Sequence, residues 1–161
     1  MAQTLTRDSV SRHIGATPET LYDLVADVTR TSELSPEILR CEWVDGGGPV
    51  VGARFRATNK ARRGPSWTNT PEIVVADRGR EFAFVRREKT AGELVWRYRF
   101  EAADGGTTVT ESYEVTKPVP RLMMVAMRVV FGSADRRSEL REGMEQTLER
   151  LAAIAEGATA R

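Results

Sequence analysis

The Asp104-Gly105 pair, set between two arms of alternating residues, constrains the fold more than any other stretch of the chain. Both central positions of a type I′ turn require positive φ, which glycine adopts freely and aspartate tolerates. Before the turn, Leu94, Trp96, Tyr98 and Phe100 alternate with Val95, Arg97 and Arg99. After it, Val109, Glu111, Tyr113 and Val115 alternate with Thr108, Thr110, Ser112, Glu114 and Thr116. Such period-two alternation is the mark of half-buried strands. With Asp104 and Gly105 as the turn, Phe100 faces Val109, Tyr98 faces Glu111, Trp96 faces Tyr113 and Leu94 faces Val115. A one-residue slip would put Trp96 in water, so the register is well specified. The same parity carries a carboxylate, Glu111, onto the apolar face opposite a tyrosine.

The rest of the chain is consistent with one domain spanning residues 1–161. A length of 161 residues and 40% apolar content suffice for a sizeable core. The 24 basic and 23 acidic residues nearly cancel, so nucleic acid is not an expected partner. Cys41 is the only cysteine, which excludes an intrachain disulfide and a cysteine-based zinc site. No cofactor or metal is expected. No stretch reaches the roughly 18 apolar residues of a membrane span, and the N-terminus lacks the apolar core of a signal peptide. The expectation is a cytoplasmic protein with no stable membrane anchor.

Taken in order, Leu5 to Ile14 reads as a first strand. Its His13, the only histidine, is expected at the surface or rim, and with no nucleophile nearby it does not suggest a triad. Thr17-Pro18-Glu19 starts a helix: a cap, a residue suited to the first position and an acid that complements the dipole. Thr31 to Leu34 is a second short helix, stopped by Ser35-Pro36. Strands follow at Ile38 to Asp45, Ala53 to Lys60, Trp67 to Ala76 and Glu81 to Arg87, and the hairpin completes the sheet. Phe55, Ala57 and Asn59 share a face, as do Trp67, Asn69, Pro71, Ile73 and Val75; Phe82 and Phe84 point inward. Gly46-Gly47-Gly48 has no Lys-Ser/Thr after it and leads to a strand, so it is a loop and not a phosphate cradle. Gly132-Ser133 lacks the second half of a nucleophile elbow. The pairs Arg62-Arg63 and Arg86-Arg87 fall at strand ends, where solvated side chains are expected. Arg121 to Phe131 is apolar nearly all round a helix. It suits packing over the sheet edge, a mobile lid or a homodimer contact. Ser133 to Glu156 is a long amphipathic helix with Leu140, Met144, Leu148, Leu151 and Ala155 on one stripe, and Gly157 to Arg161 is expected to fray.

One strand, two short helices, six antiparallel strands and a long C-terminal helix resembles the helix-grip fold of the START-like (SRPBCC) superfamily. The matching segments are Ala16-Thr17-Pro18-Glu19, Asp27-Val28-Thr29-Arg30, Val51-Gly52-Ala53-Arg54-Phe55, Ser66-Trp67-Thr68, and Trp96-Arg97-Tyr98 followed by Thr108-Val109-Thr110-Glu111. These are most similar to the bacterial polyketide cyclase/dehydrase-like group, over about Leu5 to Glu156. Ser32-Glu33-Leu34 departs from that pattern, which carries aromatics there, and the departure implies a wider cavity mouth.

The resemblance implies an α+β fold: a curved antiparallel sheet wrapped around the last helix, with a cavity between them. The inward residues would line it: Phe55, Asn59, Trp67, Asn69, Phe84, Trp96, Tyr98, Glu111 and Tyr113 from the sheet, Leu140 and Met144 from the helix. A mostly apolar cavity with a few convergent polar groups is how small-molecule sites are built. The expected function is binding of a hydrophobic small molecule, a lipid or an aromatic, polyketide-like compound. One alternative is an aromatase/cyclase in which Tyr98 and Glu111 supply a donor and a proton shuttle; another is a regulatory module for a protein partner. Glu111 is the focus because a buried carboxylate must be hydrogen-bonded or neutralised, by Tyr98 or by an arginine such as Arg136 or Arg137.

Overall fold

The structure is a computed structural model that describes residues 5–132 and 135–159. Strand β1 (Arg7–Ile14) leads to helix α1 (Pro18–Ala26), a single 3-10 turn (Val28–Arg30) and helix α2 (Thr31–Leu34). Strands β2 (Ile38–Trp43), β3 (Phe55–Asn59), β4 (Trp67–Asn69), β5 (Glu72–Asp77), β6 (Glu81–Glu88), β7 (Gly92–Ala103) and β8 (Gly106–Lys117) follow, then helices α3 (Arg121–Phe131) and α4 (Arg136–Thr159). The α1 start forms as its sequence dictates: the Thr17 hydroxyl accepts from the Thr20 N–H at 3.2 Å, with Pro18 in the first turn.

The β7–β8 hairpin has the expected register. Phe100 pairs with Val109, Tyr98 with Glu111, Trp96 with Tyr113 and Leu94 with Val115. Asp104 (φ 44°) and Gly105 (φ 76°) both take the positive φ that the turn requires. Around this hairpin the strands run antiparallel in the order β1-β8-β7-β6-β5, and β2-β3-β4 form a second section.

The two sections meet at a corner that the alternation pattern does not show. Trp67 to Ala76 is not one strand; it breaks after Asn69, so seven strands follow the short helices where six were expected. Pro71 has no N–H to give a ladder. Its carbonyl instead accepts from the Phe55 N–H (3.1 Å), and Ile73 donates to Ala53 (2.8 Å). With the Arg54–Glu72 bridge, these bonds carry the chain from one section to the other and give the sheet its curvature.

Helix α4 lies in the concave side of the sheet. Leu148, Leu151, Ala152 and Ala155 are buried with Ile14, Leu21, Val25, Phe100 and Val109. Tyr22 of α1 meets Phe82 and Phe100 edge-on at 5.9 and 5.8 Å, closing that end of the molecule. Nearer the start of α4, a smaller cluster holds Leu94, Tyr113, Leu140 and Met144, with Trp96 and Val115 against it. This is the expected helix grip. The expected helix start, Ser133, lies outside the described residues; Asp135 precedes α4, and its carboxylate accepts from the Ser138 N–H and hydroxyl. At its C-terminal end α4 continues through Gly157 to Thr159. Residues 160 and 161 lie outside the described residues.

Helix α3 has the expected bounds, entered from Pro120 and ended by Gly132 at φ 61°. No described residue in it is buried; Leu122 is 85% and Val129 80% exposed. It rests on the sheet edge through its last turn, where the Phe131 ring meets Trp67 edge-on at 5.3 Å. Gly64 (φ 89°) makes room for this: a Cβ there would stand 2.6 Å from the Phe131 ring.

Candidate functional site

The inward face of the sheet is built by strand parity. On β8 it presents Val109, Glu111 and Tyr113, and on β7 Phe100, Tyr98, Trp96 and Leu94. On β6 it presents Phe82, paired with Tyr98, and Phe84, paired with Trp96. Across the corner, Phe55 packs edge-on against Phe84 at 5.2 Å, while Ala57 pairs with Asn69 and Asn59 with Trp67. Met144 and Leu140 descend onto the same face from α4. Nine of the eleven expected lining residues therefore share the concave side of the sheet, and the other two cover it from the helix.

The polar centre of this face is the pair formed by Tyr98 and Glu111. The Tyr98 hydroxyl donates to Glu111 Oε1 at 2.8 Å, and both side chains are buried, Glu111 to 4% exposure. Desolvation pushes the Glu111 carboxyl up to about 8, against a smaller downward pull from the Tyr98 hydrogen bond. Burial and the adjacent carboxyl push the Tyr98 hydroxyl well above its ordinary range. Glu111 is thus a neutral acid near pH 7. Neither Arg136 nor Arg137 is its partner: Arg136 is held by Glu37 through two bonds of 2.5 and 2.7 Å and by Glu139 at 3.3 Å. Arg137 is exposed.

Four buried polar atoms have no hydrogen-bond partner among the described residues: Glu111 Oε2, Tyr113 Oη, Asn69 Oδ1 and Arg86 Nε. All four belong to side chains on the inward face. An orphaned buried polar atom costs about 1–3 kcal/mol, and proteins leave few of them. Asn59, by contrast, is occupied structurally, donating to Ala57 O at 3.1 Å and Trp67 O at 3.5 Å.

Arg86 corrects the expectation of a solvated strand-end pair. Only Arg87 is exposed, and it pairs with Glu72 and Glu93 on the outer face. Arg86 follows Phe82 and Phe84 in parity and points inward, opposite Leu94. Its signal was present in the sequence: the alternation Phe82, Phe84, Arg86 runs one step further than the apolar residues do. His13 is exposed as expected and its Nε2 lies 2.9 Å from Ala103 O, at the hairpin and away from this face. Cys41 is buried, which pushes its thiol up to about 11.

A groove of about 270 Å³ lies between the α2–β2 connection, the end of β3 and α4. Pro36, Glu37, Lys60, Ala61, Glu139 and Gly143 are among its walls, and none of the expected lining residues is. Among the described residues no helix is long and apolar enough to cross a membrane.

Residues 6–156 match the family model described as polyketide cyclase / dehydrase and lipid transport. The chain belongs to this family. Membership accounts for the resemblance read between Leu5 and Glu156 and for the helix grip. Among solved structures, the polyketide-cyclase-like protein Cgl2372 of Corynebacterium glutamicum is 30% identical, with 97% of this chain and 94% of that one covered and a TM-score of 0.59. The di-domain ARO/CYC StfQ from the steffimycin biosynthetic pathway is 13% identical with a TM-score of 0.73, covering 98% of this chain and 53% of that one. Major latex-like protein 151 of Panax ginseng is 14% identical with a TM-score of 0.70, covering 92% and 96%. The last two share the fold at identities too low to carry more. No curated protein matches the chain.

Proposed function

We propose that this family member binds a hydrophobic small molecule against the inward face of its sheet, beneath α4. The observation that carries this reading is the set of four unpartnered polar atoms on one face otherwise made of Phe55, Phe84, Trp96 and Met144. A protein core satisfies its buried polar groups; a recognition surface leaves a few for the ligand to meet. Trp67, Phe84 and Trp96 are each only half-buried, which fits aromatic surface held for a guest. The family's span of cyclase, dehydrase and lipid-transport members supports the same chemical class. Titration with the neutral probe pyrenebutanol tests it. Energy transfer from tryptophan should appear on binding, and Trp96→Phe should reduce it. Binding with no change in tryptophan emission would contradict this placement.

A second reading has its own support. Glu111 is protonated near neutral pH, and its Oε2 has no partner. A carboxyl poised near the working pH suits general acid-base catalysis. In a cyclase of polyketide-like substrates, Glu111 would give a proton to a ligand carbonyl oxygen, and Tyr98 would hold the carboxyl in place. Turnover of a poly-β-keto substrate that is lost in Glu111→Gln, with binding retained, would establish this reading over simple binding.

A further inference from the structure

Arg86 is a half-buried cation on the inward face, ion-paired among the described residues with Glu88 alone. Its Nε is buried with no hydrogen-bond acceptor among the described residues, while the side chain as a whole keeps 24% of its surface exposed. The nearest carboxylate, Glu88, stands 3.8 Å from Nε, beyond hydrogen-bond reach, and accepts instead from Asn69 Nδ2 at 3.5 Å. The neighbouring cation, Arg136, is already engaged by Glu37 and Glu139 and adds repulsion rather than support. Desolvation and that like charge both act against Arg86 in its charged form, so Glu88 offsets only part of the cost. Glu88 is its one ion-pair partner among the described residues, at 3.8 Å, and a pair this loose leaves the guanidinium able to meet a second carboxylate. Arg86 lies on the same inward strand face as Phe84 and Trp96, toward the end of the molecule where α4 begins. Glu111 sits at the opposite end of the face: two strands and four residues along the sheet put the two backbones roughly 16 Å apart. The face thus offers a neutral acid and a tyrosine hydroxyl toward one end, aromatic surface between, and a loosely paired guanidinium at the other.

We propose that Arg86 anchors a carboxylate carried by the hydrophobic ligand, so that the site selects amphipathic acids over their neutral analogues. A guanidinium presents parallel N–H donors that match a carboxylate, and Asn69 Oδ1, also unpartnered, stands ready to accept from an adjacent ligand hydroxyl. The proposal rests on the reading that the inward face holds a ligand. Two probes separate the failures: pyrenebutyrate, an acid, and pyrenebutanol, its neutral counterpart, each titrated by tryptophan energy transfer at low salt. Wild type should bind the acid at least tenfold tighter. Arg86→Gln should lose that preference while keeping its affinity for the alcohol, and Arg86→Lys should retain part of it. Equal binding of both probes by wild type, or an undiminished preference in a folded Arg86→Gln, overturns the assignment and leaves Arg86 as a counterion of Glu88. Binding of neither probe overturns the underlying ligand reading. The wild-type ratio and Arg86→Lys keep the test decisive if Arg86→Gln does not fold.

Discussion

Replacing Glu111 with glutamine should change how stability depends on pH, and the direction follows from its surroundings. The folded carboxyl titrates at about 8, above its ordinary 4.5, because it is desolvated. Between those values the folded chain holds a proton that the unfolded chain has released. The contribution of Glu111 to stability is therefore fully present below about pH 4.5 and is lost progressively as pH rises to about 8. At 1.36 kcal/mol per pKa unit, the whole span corresponds to roughly 5 kcal/mol, and by pH 7 roughly 3 kcal/mol of it has gone. Glutamine is nearly isosteric, can still accept from the Tyr98 hydroxyl, and does not titrate. Urea unfolding of both proteins from about pH 5 to about pH 9 isolates the effect, since every other group cancels in the difference. The variant should match wild type within about 1 kcal/mol at the acid end and exceed it by a few kcal/mol at the alkaline end. A difference independent of pH would show that the carboxyl is ionised in the folded state, and would refute the desolvation argument.

Three further outcomes follow from the same structure. Tyr98→Phe leaves Glu111 Oε1 without its donor; it should cost about 1–3 kcal/mol by urea unfolding and raise the Glu111 pKa further, seen by carboxyl NMR titration. Leu148→Ala, in the 1%-exposed heart of the α4 contact, should cost about 2–5 kcal/mol, whereas Leu122→Ala on exposed α3 should stay within about 0.5 kcal/mol. Hydrogen exchange should be much faster along Leu122–Val130 than along Leu148–Ala155, because α3 buries no described residue; equal protection would show that α3 is covered in solution.

What the sequence made legible was local. The hairpin register follows from a two-residue turn and strict alternation, so Glu111 could be placed inward opposite Tyr98 without any long-range contact. The bounds of α3 follow from Pro120 and Gly132, and the α1 start from Thr17 and Pro18. The corner after Asn69 was hidden because it depends on β3, whose Phe55 N–H takes the Pro71 carbonyl. At Arg86 two local signals conflict: the strand end suggests a solvated side chain, whereas the alternation continues through it and points it inward. The engagement of Arg136 with Glu37 spans 99 positions and leaves no trace in either local pattern. The unpartnered atoms beside Trp96 emerged only once the strands were laid side by side.

The central claim, a hydrophobic guest on the inward face, is tested most directly by intermolecular NOEs from bound pyrenebutanol. Contacts to the Met144 methyl and the Trp96 indole are expected, with none to Leu39 or Ala61 of the groove beside α4. Contacts confined to that groove or to the exposed side of α3 would contradict it.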